Sequence, residues 1–230
     1  MNKKTKIKIN LTQKHYTLTD FTVILLNAVS FEAITENGKR TDQFYKIRKK
    51  LESISIYKLN KAILLNEKNR KQLFPKAFFA DVLRNELLLS LLETITGYEF
   101  QFEVSDTISN SIQLYQSYYR IEDFVLIAFN YLDIQIRKKT GVEAAGFKSA
   151  KTHLRNEHRN APKKVYSRGE LDKIRDKFIL WLVNNNYCNM PSFQQASADT
   201  YNTVRSILID ILKSGDTEVN SCIRAICEIK

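Results

Sequence analysis

Between Ile121 and Ile136 the apolar residues stand too close together to fit one face of a helix. Phe124, Leu126, Ile127, Phe129, Leu132, Ile134 and Ile136 wrap more than one side. Such a segment has to be enclosed by other elements, so it sets the centre of the fold. The spacing predicts one long helix over Ile121–Lys139, ended by Thr140-Gly141. With only six Gly and three Pro in 230 residues, few breaks interrupt the chain. Apolar residues reach 43%, enough for a core and too many for a disordered polymer.

Other helices follow from capping and periodicity. Thr19 or Asp20 starts one that runs to about Ala33, and Thr41 or Asp42 starts one that runs to about Leu51. Pro75 opens an amphipathic helix over 76–96 that Gly97 ends. Residues 108–119 and 148–160 read as helices, the second exposed. Ser167, three residues before Glu170, caps another through Asn184. Two segments alternate instead. Thr5–Leu11 sets Ile7, Ile9 and Leu11 opposite its lysines, and Tyr98–Val104 sets aromatics opposite Glu99, Gln101 and Glu103. A Lys row beside a Glu row favours pairing of these two strands. The expected fold is mainly α with a minor β component of two short strands and a helical bundle-like core. No internal repeat is expected. Pro162 marks the expected boundary between a helical domain over 1–161 and a small helical domain over 162–230.

Charge is distributed unevenly. Residues 91–136 carry one cation against seven carboxylates, whereas residues 137–168 carry ten cations against two. The ten are Arg137, Lys138, Lys139, Lys148, Lys151, Arg155, Arg159, Lys163, Lys164 and Arg168. A concentrated cationic surface attracts polyanions, and release of condensed counterions drives binding to nucleic acid. The segment has few large apolar residues to insert, so a membrane surface fits it poorly. The expected function is non-catalytic binding of DNA or RNA, with phosphate contacts from these ten residues. Lys3, Lys4, Lys6 and Lys8 would assist. An acidic protein partner is the alternative use of such a face.

Two resemblances bear on this reading. Residues 199–215, DTYNTVRSILIDILKSG, resemble the recognition helix of winged-helix regulators. Thr200 would cap it, Val204, Leu208 and Ile211 would face inward, and Arg205 would face DNA. Ser197 and Asp199 stand where that pattern has apolar residues, and no wing hairpin follows Gly215. The stretch Tyr118–Gly141 is similar to a core helix of HEPN ribonucleases. Those enzymes place an Arg and a His in an Arg-x(4–6)-His motif. Here Arg155 and His158 are separated by two residues, so the signature is not met; they would be the pair to test for metal-independent RNA cleavage.

Other chemistries lack their residues. The three cysteines form no C-x-x-C pair, which suits reduced thiols in an intracellular protein. His153 and His158 project well apart around a helix. No phosphate-binding glycine loop, nucleophile elbow or zinc spacing occurs, so neither cofactor nor metal is expected. Phe21–Phe31 is apolar but too short to span a bilayer, and Asp20 and Asn27 mark it as a core helix rather than a leader.

Overall fold

The computed structural model describes residues 4–57, 72–108, 112–157 and 165–188. The chain divides into two compact units, one over residues 1–188 and another over 189–230. The first unit therefore keeps the Ser167-capped helix, on the far side of the boundary that Pro162 suggests. The expected helix-turn-helix over 199–215 lies outside the described residues.

Among the described residues are seven helices and six short strands. In chain order they are β1 (Thr5–Asn10), β2 (His15–Tyr16), α1 (Leu18–Ala28), α2 (Asp42–Tyr57), β3 (Phe74–Pro75), α3 (Lys76–Val82) and α4 (Glu86–Thr96). Then come β4 (Phe100–Ser105), β5 (Tyr118–Tyr119), α5 (Ile121–Tyr131), α6 (Ala145–Glu157), β6 (Tyr166–Ser167) and α7 (Arg168–Asn184). The helical character is as expected, with three two-stranded sheets among the described residues instead of one.

This order is one pattern used twice, strand, strand, helix, helix, strand, helix, with α4 as an additional helix at the end of the first copy. A displacement of 103 residues carries Gln13 onto Gln116, Tyr16 onto Tyr119, Asp20 onto Asp123, Asn27 onto Asn130, Gly38 onto Gly141 and Phe44 onto Phe147. β2 pairs antiparallel with β3 as β5 does with β6. The Lys76 N–H donates to the Lys14 carbonyl as the Arg168 N–H does to that of Ser117. An isolated bridge joins Ile34 to Arg40 in one copy and Arg137 to Glu143 in the other. The absence of a repeat, expected from sequence, is therefore overturned. Few identities survive because the fold needs only apolar volume at most core positions, and different side chains supply it.

The two repeats meet reciprocally, as the halves of an isologous dimer do. β1 and β4, the first strand of each half, pair in parallel from Thr5 opposite Phe100 to Asn10 opposite Ser105, offset by 95 residues rather than 103. This is the strand pairing the charge rows predict, with Lys8 opposite Glu103. The Asn130 side-chain N–H donates to the Asn10 carbonyl at 2.8 Å, and that of Asn27 to the Gln113 carbonyl at 3.0 Å. α1 and α5 are buried along almost their whole length, with Phe21, Leu25, Phe124 and Phe129 fully enclosed.

Three expected helices change form. The segment 76–96 breaks at 83–85, because Asn85 adopts extended backbone and its side chain accepts from the Leu87 N–H to cap a new helix. The described part of 108–119 is not helical. Tyr118–Tyr119 instead becomes β5, held by β6 from 47 residues further along the chain (Tyr119 opposite Tyr166). The central helix stops at Tyr131 rather than Lys139, because Asp133 takes a left-handed φ of 53° and the Ile134 N–H returns to the Phe129 carbonyl. Ser30 does the same at the equivalent position, with a φ of 56°. A hairpin therefore follows each central helix, turning at Gly38 and Gly141 with φ of 75° and 77°. Ser167 and Glu170 form the expected capping box of α7.

Candidate nucleic-acid interface

The ten cations expected to contact phosphate divide by their surroundings. Arg137 is consumed by the fold. Its guanidinium donates twice to Asp20, at 2.6 and 2.7 Å, and only 6% of its side chain is exposed. Asp20 also accepts from the Thr17 N–H in the cap of α1, so the pair ties the hairpin of the second repeat to the first helix of the first. The reciprocal pair is Arg40 with Asp123, at 2.6 and 2.7 Å. Burial pushes the Asp123 carboxyl above its ordinary pKa, against the pull of Arg40. The two arginines come from opposite arms of their hairpins, since Arg137 aligns with Ile34 and Arg40 with Glu143. The ion pair is thus repeated in space and not in sequence.

Lys151 is also taken up internally. Its ammonium lies 2.6 Å from Glu143 and over the Phe147 ring. Arg155, more exposed, pairs with Glu122. Arg137 and Lys151 are therefore removed from the set expected to contact phosphate, because each is mostly buried against a carboxylate. Lys138, Lys139, Lys148 and Arg168 are exposed. Arg159, Lys163, Lys164 and Arg205 lie outside the described residues, as does His158. His153 stacks on Trp181, with ring centroids 4.2 Å apart, and so belongs to the packing of α6 on α7. Of the N-terminal lysines, Lys4 reaches Glu99 at 4.0 Å, while Lys6 and Lys8 lie exposed on β1.

The repeat reveals a second basic face that charge counting had passed over. α2 occupies in the first repeat the place of α6 in the second. It exposes Lys46, Arg48 and Lys49, while Phe44, Ile47, Leu51 and Ile54 face the core. The signal was present as the excess of eleven cations over four carboxylates in residues 1–50. It was spread over a longer segment and so stood out less than residues 137–168.

A concave surface lies where the two repeats meet. It encloses about 360 Å³ between residues 12–15 and the start of the second hairpin, and its lining includes Lys14, His15, Asp133, Arg137, Lys138 and Lys139. Its base is held by the Gln13 side chain, which accepts from the Ile136 N–H at 3.1 Å, and by the Thr12 hydroxyl, which donates to the Asn130 carbonyl. Among the described residues, no three His, Cys, Asp or Glu side chains gather as a metal ion would require. No helix there is long and apolar enough to cross a membrane. Comparison of the chain with family models, with curated proteins and with solved structures gave no match.

Proposed function

We propose that this chain binds nucleic acid, DNA or RNA, without cleaving it. The phosphate contacts come from Lys138, Lys139, Lys148 and Arg168 of the second repeat, joined by Lys46, Arg48 and Lys49 of the first. The observation that carries this reading is the surplus of cations left after the internal ion pairs are formed. Arg40, Arg137 and Lys151 are held by Asp123, Asp20 and Glu143. Even so, the second helix of each repeat presents cations to solvent, and the second hairpin presents Lys138 and Lys139. Exposed cations unneeded for folding are the ones that can exchange counterions for phosphates. Arg155, the cation of the alternative cleavage reading, is paired with Glu122 at the surface.

Fluorescence-anisotropy titration with single-stranded and duplex DNA and RNA tests the reading, at low and at physiological salt. Lys138, Lys139, Lys148 and Arg168 are changed together to Gln for comparison. Salt-sensitive binding that the variant loses supports it. A folded protein that binds none of the four ligands refutes it and leaves an acidic protein partner as the use of these faces.

A further inference from the structure

The duplication supplies an internal control for the cleft between residues 12–15 and the second hairpin. The same place exists in the other half of the molecule, between residues 115–118 and the first hairpin. There Lys14, His15, Lys138 and Lys139 are replaced by Ser117, Tyr118, Thr35 and Glu36. Both halves fold alike, so the fold does not demand the four basic residues. Charges it does demand, Asp20 and Asp123, are present in both.

The counterpart also shows what the architecture accepts. The Ser117 N–H donates to a carboxylate oxygen of Glu32 at 2.6 Å, which closes that place with an anionic group of the chain itself. The other Glu32 oxygen is buried with no hydrogen-bond partner among the described residues. In the basic cleft Lys14 stands in place of Ser117 and Gln135 in place of Glu32. Gln135 turns back to the Arg137 carbonyl at 3.1 Å. The Lys14 N–H has no partner among the described residues. A backbone donor that holds a carboxylate in one repeat is thus left, in the other, beside Lys14, His15, Lys138 and Lys139. Asp133 is the opposing charge in the lining, and the Arg137 guanidinium is already committed to Asp20.

The geometry points to an anion site in this cleft that takes a phosphate group, through the Lys14 N–H and the side chains of Lys14, His15, Lys138 and Lys139. It deepens the nucleic-acid reading by naming the place where one phosphate is held by geometry as well as by charge. The same chemistry would accept a free nucleotide.

Two-dimensional 15N–1H spectra of the full chain test it. The probes are pyrophosphate, a nucleoside triphosphate, and an oligonucleotide carrying internal phosphodiesters only. The Lys14 amide is expected to shift saturably with at least one of them. Changing Lys138 and Lys139 together to Gln should weaken that binding about tenfold or more, since charge-assisted hydrogen bonds are the strong ones. Gln135→Glu should block it by copying Glu32, while Ser149→Glu on the exposed face of α6, with the same change in charge, should leave pyrophosphate binding within about twofold, as expected of a solvent-screened charge outside the cleft. A shift with the oligonucleotide assigns the cleft to the nucleic-acid backbone, and a shift with the triphosphate alone assigns it to free nucleotide. Either outcome supports the site. A Lys14 amide that none of the probes moves overturns it, as does a Ser149→Glu variant weakened as much as Gln135→Glu. If no probe moves the Lys14 amide while oligonucleotides bind equally well to wild type and Gln135→Glu, the cleft fails and the nucleic-acid reading stands. If pyrophosphate binds at Lys14 and no oligonucleotide binds anywhere, that reading fails and the cleft stands.

Discussion

The Tyr16 hydroxyl donates to the side-chain carbonyl of Asn130 at 2.7 Å, across the line where the two repeats meet. Tyr119 makes the same bond to Asn27 at 2.8 Å. Each hydroxyl also accepts from the backbone N–H three residues before it, of Gln13 and of Gln116. Both rings are fully enclosed. Each Asn therefore satisfies a buried group of the other repeat and fixes the turn that leads into the central helix there. Asn130→Ala and Asn27→Ala should each cost about 1–3 kcal/mol, the penalty of leaving a buried partner unsatisfied. Urea unfolding monitored by circular dichroism reads this directly. A loss below about 0.5 kcal/mol for both, as at an ordinary surface site, would show that the repeats are not held together there.

The same tyrosines predict a response to alkali. Burial pushes both phenols well above their ordinary value of 10, beyond what the bonds from Gln13 and Gln116 pull back. A raised pKa in the folded state means that its contribution to stability is complete below pH 10 and is lost as the pH rises toward the folded-state value. Each tyrosine should add about 1.4 kcal/mol per pH unit to the loss in that window. Unfolding free energies measured between pH 9 and pH 11.5, about the unfolded value of the phenol, should fall less steeply in Tyr16→Phe and Tyr119→Phe. Equal slopes in all three proteins would refute the assignment.

Arg137 and Lys138 are neighbours with opposite expected phenotypes. Arg137→Gln leaves Asp20 buried without its cation and should destabilise by about 3–5 kcal/mol. Lys138→Gln should change stability by less than about 0.5 kcal/mol, because its side chain is in water. Thermal melts separate the two before any binding assay is run. Equal stability of both variants would mean that the Asp20 pair contributes nothing to joining the repeats.

Features that depend on neighbouring residues could be read from the sequence. The Ser167–Glu170 capping box, the Gly97 stop and the alternations within Thr5–Leu11 and within Tyr98–Val104 are local, and each led to the right element. Features that depend on pairing across the chain could not. Tyr118 and Tyr119 sit in a helix-compatible pattern, yet they become a strand because Tyr166 and Ser167 are there to pair with them. The long central helix was misjudged because Ile134 and Ile136 are apolar for another reason: they line the hairpin that folds back on the core. The site was legible as charge and not as geometry. Arg137 and Lys139 look alike in a count of cations, and only Asp20, 117 residues before Arg137, separates them. The repeat, by contrast, was legible: Gln13, Tyr16, Asp20 and Asn27 recur 103 residues on as Gln116, Tyr119, Asp123 and Asn130, and only its paired arginines change hairpin arms.

Salt dependence can decide whether one face or both engage the proposed nucleic-acid ligand. If the second helix of each repeat touches phosphates, changing Lys46, Arg48 and Lys49 to Gln should weaken binding of duplex or single strands about as strongly as changing Lys138, Lys139 and Lys148. The logarithmic salt slope should flatten by about 0.9 for each duplex phosphate no longer neutralised, or about 0.7 on a single strand. None of the three first-repeat cations makes a described ion pair, so the variant should keep the wild-type melting temperature. Affinity measured from about 50 to about 300 mM salt, spanning the range over which binding to phosphates weakens most, gives slope and intercept together. A parallel set of slopes and unchanged affinity for the first-repeat variant would confine binding to the second repeat. The duplication would then have kept the scaffold of the interface twice and its use once, as it has kept the basic cleft on one side and closed its counterpart with Glu32 on the other.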